Sequence, residues 1–162
     1  MKRFICVIIV LLTLLSMVGC TAKESDIIKP ANFYYRTAAV KYQSDAITAE
    51  IRESSGYDSG DLKGLMQLYI DGPISKEYIN PFPRGLKVVD VTVNSSNVQL
   101  QFNDRLALLN NTDMSIACAC LTLTTLDLTH RSRIIITAAD ASGNIIYTAS
   151  MTKDQILLND KN

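Results

Sequence analysis

Apolar and polar positions follow two periods along this chain, and the changes between them outline its elements. Asn32 to Val40 (NFYYRTAAV) is rich in aromatic and β-branched residues and predicts a strand. Ala46 to Glu53 alternates, with Ile47, Ala49 and Ile51 on one face and Thr48, Glu50 and Arg52 on the other, so a half-buried strand paired with the first is expected. Turn formers fill Ser54 to Gly60. A helix is expected to begin near Gly60, capped by Asp58 or Ser59 with Asp61 in its first turn. Leu62, Leu65, Met66, Tyr69 and Ile70 follow at helical spacing until Gly72-Pro73 stops them. Ile74 to Arg84 reads as an irregular connector stiffened by Pro81-Phe82-Pro83.

The alternation then returns. Leu86 to Val93 places Leu86, Val88, Asp90 and Thr92 on one face, Asn94 to Asn97 form a turn cluster, and Val98, Leu100 and Phe102 share a face, which predicts a hairpin. Asn110 to Asp113 offer N-caps for a second helix with a buried stripe of Ile116, Ala117, Cys120, Leu121 and Thr124 continuing toward Leu128. Its Thr residues lower intrinsic propensity, so tertiary packing must hold it. Ile134 to Ala138 is almost continuously apolar, as in a central strand. After a turn at Asp140 to Asn144, Ile145 to Met151 pairs back, and Thr152 to Asn162 is a polar tail with Ile156-Leu157-Leu158 available to dock.

Two strand–strand–helix passes and a closing hairpin predict an α+β domain, with two helices packed on a mixed or antiparallel sheet. The whole chain has 162 residues, one domain's worth at ~150 residues each. A 48% hydrophobic and 20% charged composition excludes a largely disordered chain. The 16 basic and 16 acidic side chains balance, which leaves no surplus for phosphates and argues against a nucleic-acid partner.

The N-terminus has a different character. Lys2-Arg3, the apolar run Phe4 to Val18 and then Gly19-Cys20 have the anatomy of a secretory signal, and the run is short of the roughly 20 residues a spanning helix needs. Met17-Val18-Gly19-Cys20 resembles the lipobox of bacterial lipoproteins. That resemblance implies cleavage before Cys20 and attachment to its sulfur of a diacylglyceryl group that carries fatty acids such as palmitate. Residues 1–19 would then be the signal, and 20–31 the lipidated start and a tether. Of the 16 basic side chains Lys2 and Arg3 would leave, so 14 face 16 acidic ones. The folded part would stand beside an anionic membrane rather than lie on it.

Few parts for chemistry are present. A helical Cys118-x-Cys120 pair points its thiols about 200° apart, so a disulfide between them is not expected, and with one His in the chain a metal site lacks ligands. Both read as packing residues. His130, with Arg131 and Arg133, follows the second helix and suits its free carbonyls. Asp90 and Asp104 are the carboxylates a hydrolase would draw on, and Phe33-Tyr34-Tyr35 could stack on sugar rings. Neither reading outweighs the ordinary one, turn or rim for the acids and core for the aromatics. No catalytic residues and no cofactor are expected.

The order of elements resembles the GerMN domain of bacterial sporulation and spore-germination lipoproteins. The resemblance rests on the opening Phe33-Tyr34-Tyr35, the helix end Leu68-Tyr69-Ile70-Asp71-Gly72-Pro73 and the connector Pro83-Arg84-Gly85-Leu86-Lys87-Val88. The Val91 to Phe102 hairpin, a helix closing on Thr125-Leu126 and Ile134-Ile135-Ile136 complete it. It implies a GerMN-like domain over 32–151 and a tail at 152–162. It further implies a non-enzymatic module, lipid-anchored at Cys20 on the extracytoplasmic side of the cell membrane or in the spore envelope. Such a module would bind an envelope protein or peptidoglycan; a peptidoglycan hydrolase or a structural spore-envelope lipoprotein are the alternatives.

Overall fold

The structure, a computed structural model, describes residues 30–39, 46–53 and 61–156. The signal, Cys20 and most of the tether lie outside the described residues, as do Leu157-Leu158 of the tail. In chain order the elements are β1 (Pro30–Thr37), β2 (Ile47–Glu53), α1 (Leu62–Asp71), β3 (Tyr78–Ile79), β4 (Val88–Val93) and β5 (Asn97–Asn103). A 3-10 turn (Asp104–Leu108), α2 (Asn111–Thr129), β6 (Arg133–Ala139), β7 (Ile145–Met151) and a second 3-10 turn (Lys153–Gln155) complete the chain. The fold is α+β with two strand–strand–helix passes, as the periodicity predicts.

The strands form two sheets rather than one. A three-stranded antiparallel sheet has the order β2-β1-β3, and a four-stranded sheet the order β4-β5-β6-β7. In the second, β5 and β6 are parallel, joined through α2, while the flanking pairs are antiparallel hairpins. Tyr78 and Ile79, in the stretch read as irregular, supply the third strand of the first sheet by pairing with Thr37 and Arg36.

The two sheets are held apart and together by α2. Thr124 and Thr125 turn toward β1 and α1, where Thr124 Oγ1 accepts the Tyr34 N–H at 2.9 Å and Thr125 meets Met66 Sδ at 3.9 Å. Cys118 and Thr122 turn toward β7, within 3.3 Å of Tyr147 Oη and 3.6 Å of Met151 Sδ. A helix packed on both sides is buried all round, and residues 120–126 are (every one of them). The expected stripe is therefore a full cylinder, with Ile116 only half-buried at its start. Buried Thr hydroxyls are satisfied locally, as Thr122 Oγ1 donates to the Cys118 carbonyl at 2.7 Å.

Caps follow the expected chemistry with one shift. Asp61 caps α1, its carboxylate accepting the Gly64 N–H at 2.8 Å, while Asp58 and Ser59 lie outside the described residues. Asn110 caps α2 through the Asp113 N–H. Gly72 ends α1 at φ 123°, and a Cβ there would stand 2.9 Å from Asn80 Nδ2, so only glycine fits. A bulge between Val88 and Asp90 breaks the alternation read in 86–93: Val88 is buried but Asp90 is exposed, and Val91 takes over the inward side.

Both ends of the described fold meet at one corner. Asp127, late in α2, accepts from Asn32 Nδ2 at 2.8 Å and from Lys153 Nζ at 3.1 Å, linking the start of β1 to the turn after β7.

Candidate functional site

The largest concentration of buried charge sits on β2. Glu50 and Arg52 are two residues apart and share a face; they are 7% and 9% exposed, whereas Ile51 between them is 70% exposed. The alternation seen in the sequence is real, but the charged face is the inner one. The reason lies in the partners. Arg52 pairs with the Glu50 carboxylate and donates to Tyr35 Oη at 3.1 Å and the Gly72 carbonyl at 2.8 Å. Its guanidinium also lies over the rings of Phe33 and Tyr35, 5.1 and 5.5 Å from their centroids. Glu50 in turn accepts the backbone N–H groups of Ile74 and Ser75, at 3.0 and 2.7 Å. Tyr35 passes the network on, its hydroxyl donating to the Tyr69 carbonyl at 2.7 Å, and Tyr69 Oη donates to the Tyr34 carbonyl at 2.6 Å. Burial pushes both phenols well above their usual range.

Both charged groups of this cluster thus have partners, which makes it a clamp holding the 72–75 turn to β2. A cleft of about 370 Å³ opens over it, bordered by Ile51, Ile74 and Tyr78. A second recess of about 220 Å³ lies where β1 ends and α2 begins, between Arg36, Pro81, Phe82, Leu109, Asp113 and Ile116. The stiff connector noted in the sequence forms one wall of this recess.

The residues singled out from the sequence are dispersed. Phe33 and Tyr35 are fully buried in core contacts with Tyr69, so they present no ring to a sugar, and Tyr34 is half-buried. Asp90 lies exposed on β4 opposite Gln101, and Asp104 lies exposed in the 3-10 turn; no hydrogen bond connects them. Cys118 and Cys120 are buried and unbridged, and burial pushes both thiols up, that of Cys120 to about 12. The reactive thiolate is correspondingly scarce at neutral pH. His130 caps α2 with its backbone, at φ 54°, its N–H reaching the Leu126 carbonyl at 3.0 Å; among the described residues the imidazole itself bonds no carbonyl. Among the described residues no group of three or more His, Cys, Asp or Glu side chains is placed to hold a metal ion. No helix among them is long and apolar enough to cross a membrane.

No family model and no curated protein matches the chain. Among solved structures, the fold is similar to the tandem GerMN domains of the sporulation protein GerM from Bacillus subtilis, with TM-score 0.50 and 17% identity over 82% of this chain and 50% of that one. The chain therefore spans about half the length of that structure. It is also similar to a candidate lipoprotein from Clostridium perfringens, with TM-score 0.48 and 14% identity over 81% of this chain and 93% of that one. The fold is GerMN-like, as the order of elements implies.

Proposed function

We propose that this chain is a non-catalytic GerMN-like module of the cell envelope, held by a lipid on Cys20 and serving sporulation or germination by binding a protein partner or peptidoglycan. The observation that carries this reading is the pairing of two independent features. One is a positive start, an apolar run and Gly19-Cys20 at residues 1–20. The other is a fold similar to GerMN domains beginning only ten residues later, at Pro30. Residues 1–19 act as the signal, 20–31 as the lipidated start and tether, and 32–151 as the binding module. Acyl chains anchor through ~0.8 kcal/mol per buried methylene, so stable attachment needs more than one of them. The absence of catalysis is supported by Asp90 and Asp104, which stand apart and exposed, and by the full engagement of Glu50 and Arg52 in holding the fold.

Metabolic labelling with a fatty acid tests the anchor. Wild type is expected to carry label and sediment with membranes, while Cys20→Ala loses the label; label persisting in the variant overturns the anchor. Residues 21–162, incubated with purified sacculi and with envelope proteins, test the binding role, and retention on neither would remove it. Muropeptide release by the same protein would instead establish the hydrolase.

A further inference from the structure

The recess where β1 ends and α2 begins is lined by two opposite charges that do not pair. Arg36, on β1, is exposed, and among the described residues its guanidinium makes no hydrogen bond and no ion pair. Asp113, in the first turn of α2, is half-buried. One of its carboxylate oxygens accepts Asn110 Nδ2 at 2.7 Å, and the other has no partner among the described residues. The remaining polar side chain of the lining is already spent, since Asn80 donates to the Ile70 carbonyl at 3.0 Å and accepts the Phe82 N–H at 3.1 Å. Pro81, Phe82, Leu109 and Ile116 make the rest of the wall largely apolar. The larger cleft over Glu50 and Arg52 differs, because its two charges hold each other and the backbone.

Size narrows what such a recess can take. At about 220 Å³ it is smaller than the roughly 300–1,000 Å³ of sites for drug-sized ligands, and it matches the liquid volume of about seven waters at ~30 Å³ each. That is room for one molecule of amino-acid size.

We propose that this recess binds a free α-amino acid with an apolar side chain, its carboxylate on Arg36, its ammonium on Asp113 and its side chain against Phe82, Leu109 and Ile116. The occupant follows from charge complementarity. A simple carboxylic acid would answer Arg36 but bring a like charge to Asp113, a simple amine would do the reverse, and a neutral sugar would answer neither. A residue inside a peptide carries neither charge. The zwitterion answers both at once, and because its two charges flank a single carbon it can do so within a site this small. Arginine suits the carboxylate in particular, since its planar fork can donate two parallel hydrogen bonds. The site goes beyond the envelope role and does not depend on the anchor at Cys20.

The described fold lies wholly within residues 21–162, which is the protein to use. Its amide NMR spectrum reads the site directly, at Arg36, Phe82, Leu109, Asp113 and Ile116. Alanine, valine and leucine, each as both enantiomers, are titrated to millimolar concentration, and at least one is expected to shift these amides together and saturably. The N-acetyl and amide forms of that amino acid each lack one charge, and each is expected to bind about tenfold or more weakly. Arg36→Gln and Asp113→Asn are expected to cause the same loss; the second keeps the backbone N–H that Asn110 caps. Arg84→Gln, exposed and off the recess, is expected to change nothing. The two modified ligands use the wild-type protein, so they decide the matter if a variant does not fold. No saturable shift with any of the six, or shifts centred elsewhere, overturns the proposal. So does an amide form that binds as well as its parent, or an N-acetyl form that does, which would point to the carboxylate end of a peptide instead. Loss of binding in Arg84→Gln equal to that in Arg36→Gln would likewise overturn it, as an effect of overall charge.

Discussion

Arg52→Met keeps an unbranched apolar stem of similar reach and deletes the guanidinium. The substitution removes the ion pair with Glu50, the donations to Tyr35 Oη and the Gly72 carbonyl, and the cation above the Phe33 and Tyr35 rings. It leaves Glu50, 7% exposed, with its charge held only by the N–H groups of Ile74 and Ser75. Removing one member of a buried pair costs about 3–5 kcal/mol, and the lost ring contacts fall within that range rather than beyond it. Against a total stability of about 5–15 kcal/mol this is a large fraction, so urea unfolding of residues 21–162 should show a clearly lowered midpoint. The double variant Glu50→Gln/Arg52→Met retains a carbonyl acceptor for the two amides and buries no charge. Its expected cost is about 1–2 kcal/mol, so the two sites should be coupled by at least ~2 kcal/mol. A single Arg52→Met that costs less than about 1 kcal/mol would refute the clamp, as would a double variant whose cost equals the two singles added together.

Two further outcomes follow from the C-terminal end of α2. His130 holds a left-handed conformation that costs a side-chain-bearing residue about 1 kcal/mol relative to glycine, so His130→Gly should stabilise the domain by roughly that amount in thermal unfolding. A destabilised variant would mean that the imidazole holds the corner in some further way. Burial tends to raise the Asp127 carboxyl, but hydrogen bonds from Asn32 and Lys153 and the charges of Lys153 and His130 outweigh it and hold the group below the usual carboxylate value. A carboxyl depressed on folding contributes stability that is complete above its unfolded value of about 4 and is lost as pH falls through the folded one. Asp127→Asn should therefore unfold with a shallower pH dependence below about pH 4. Parallel acid-unfolding curves for the two proteins would remove Asp127 from the account.

Much of this architecture could be read in local chemistry, because local chemistry decides it. The turn cluster at Asn94 to Asn97, the Gly72-Pro73 stop and the Asn110 cap act within a few residues, and each stands where the sequence places it. Ile134 to Ala138 was legible as a central strand because a run covered on both faces needs no polar side. What the sequence hid depends on distant partners. Period two in residues 46–53 identifies a strand but not its inner face; that was settled by Tyr35, Gly72 and the Ile74 and Ser75 amides, which make burying Glu50 and Arg52 favourable. A hint was available, since an acid and a base two residues apart on one strand face can neutralise each other. The all-round burial of α2 was likewise hidden, because its threonines look polar until their hydroxyls are seen closing on carbonyls within the helix and on a strand edge outside it. The third strand of the first sheet, Tyr78 and Ile79, was hidden because it is too short to leave a pattern.

The corner at Asp127 sets an orientation for the whole body. Asn32 and Lys153 both reach Asp127 there, whereas the recess between Arg36 and Phe82 lies by Asp113, fourteen residues back along the same helix, or about 20 Å at 1.5 Å per residue. The helix thus sets the hollow and the strapped corner at opposite ends of its own length, so a change at one end leaves the other's contacts untouched.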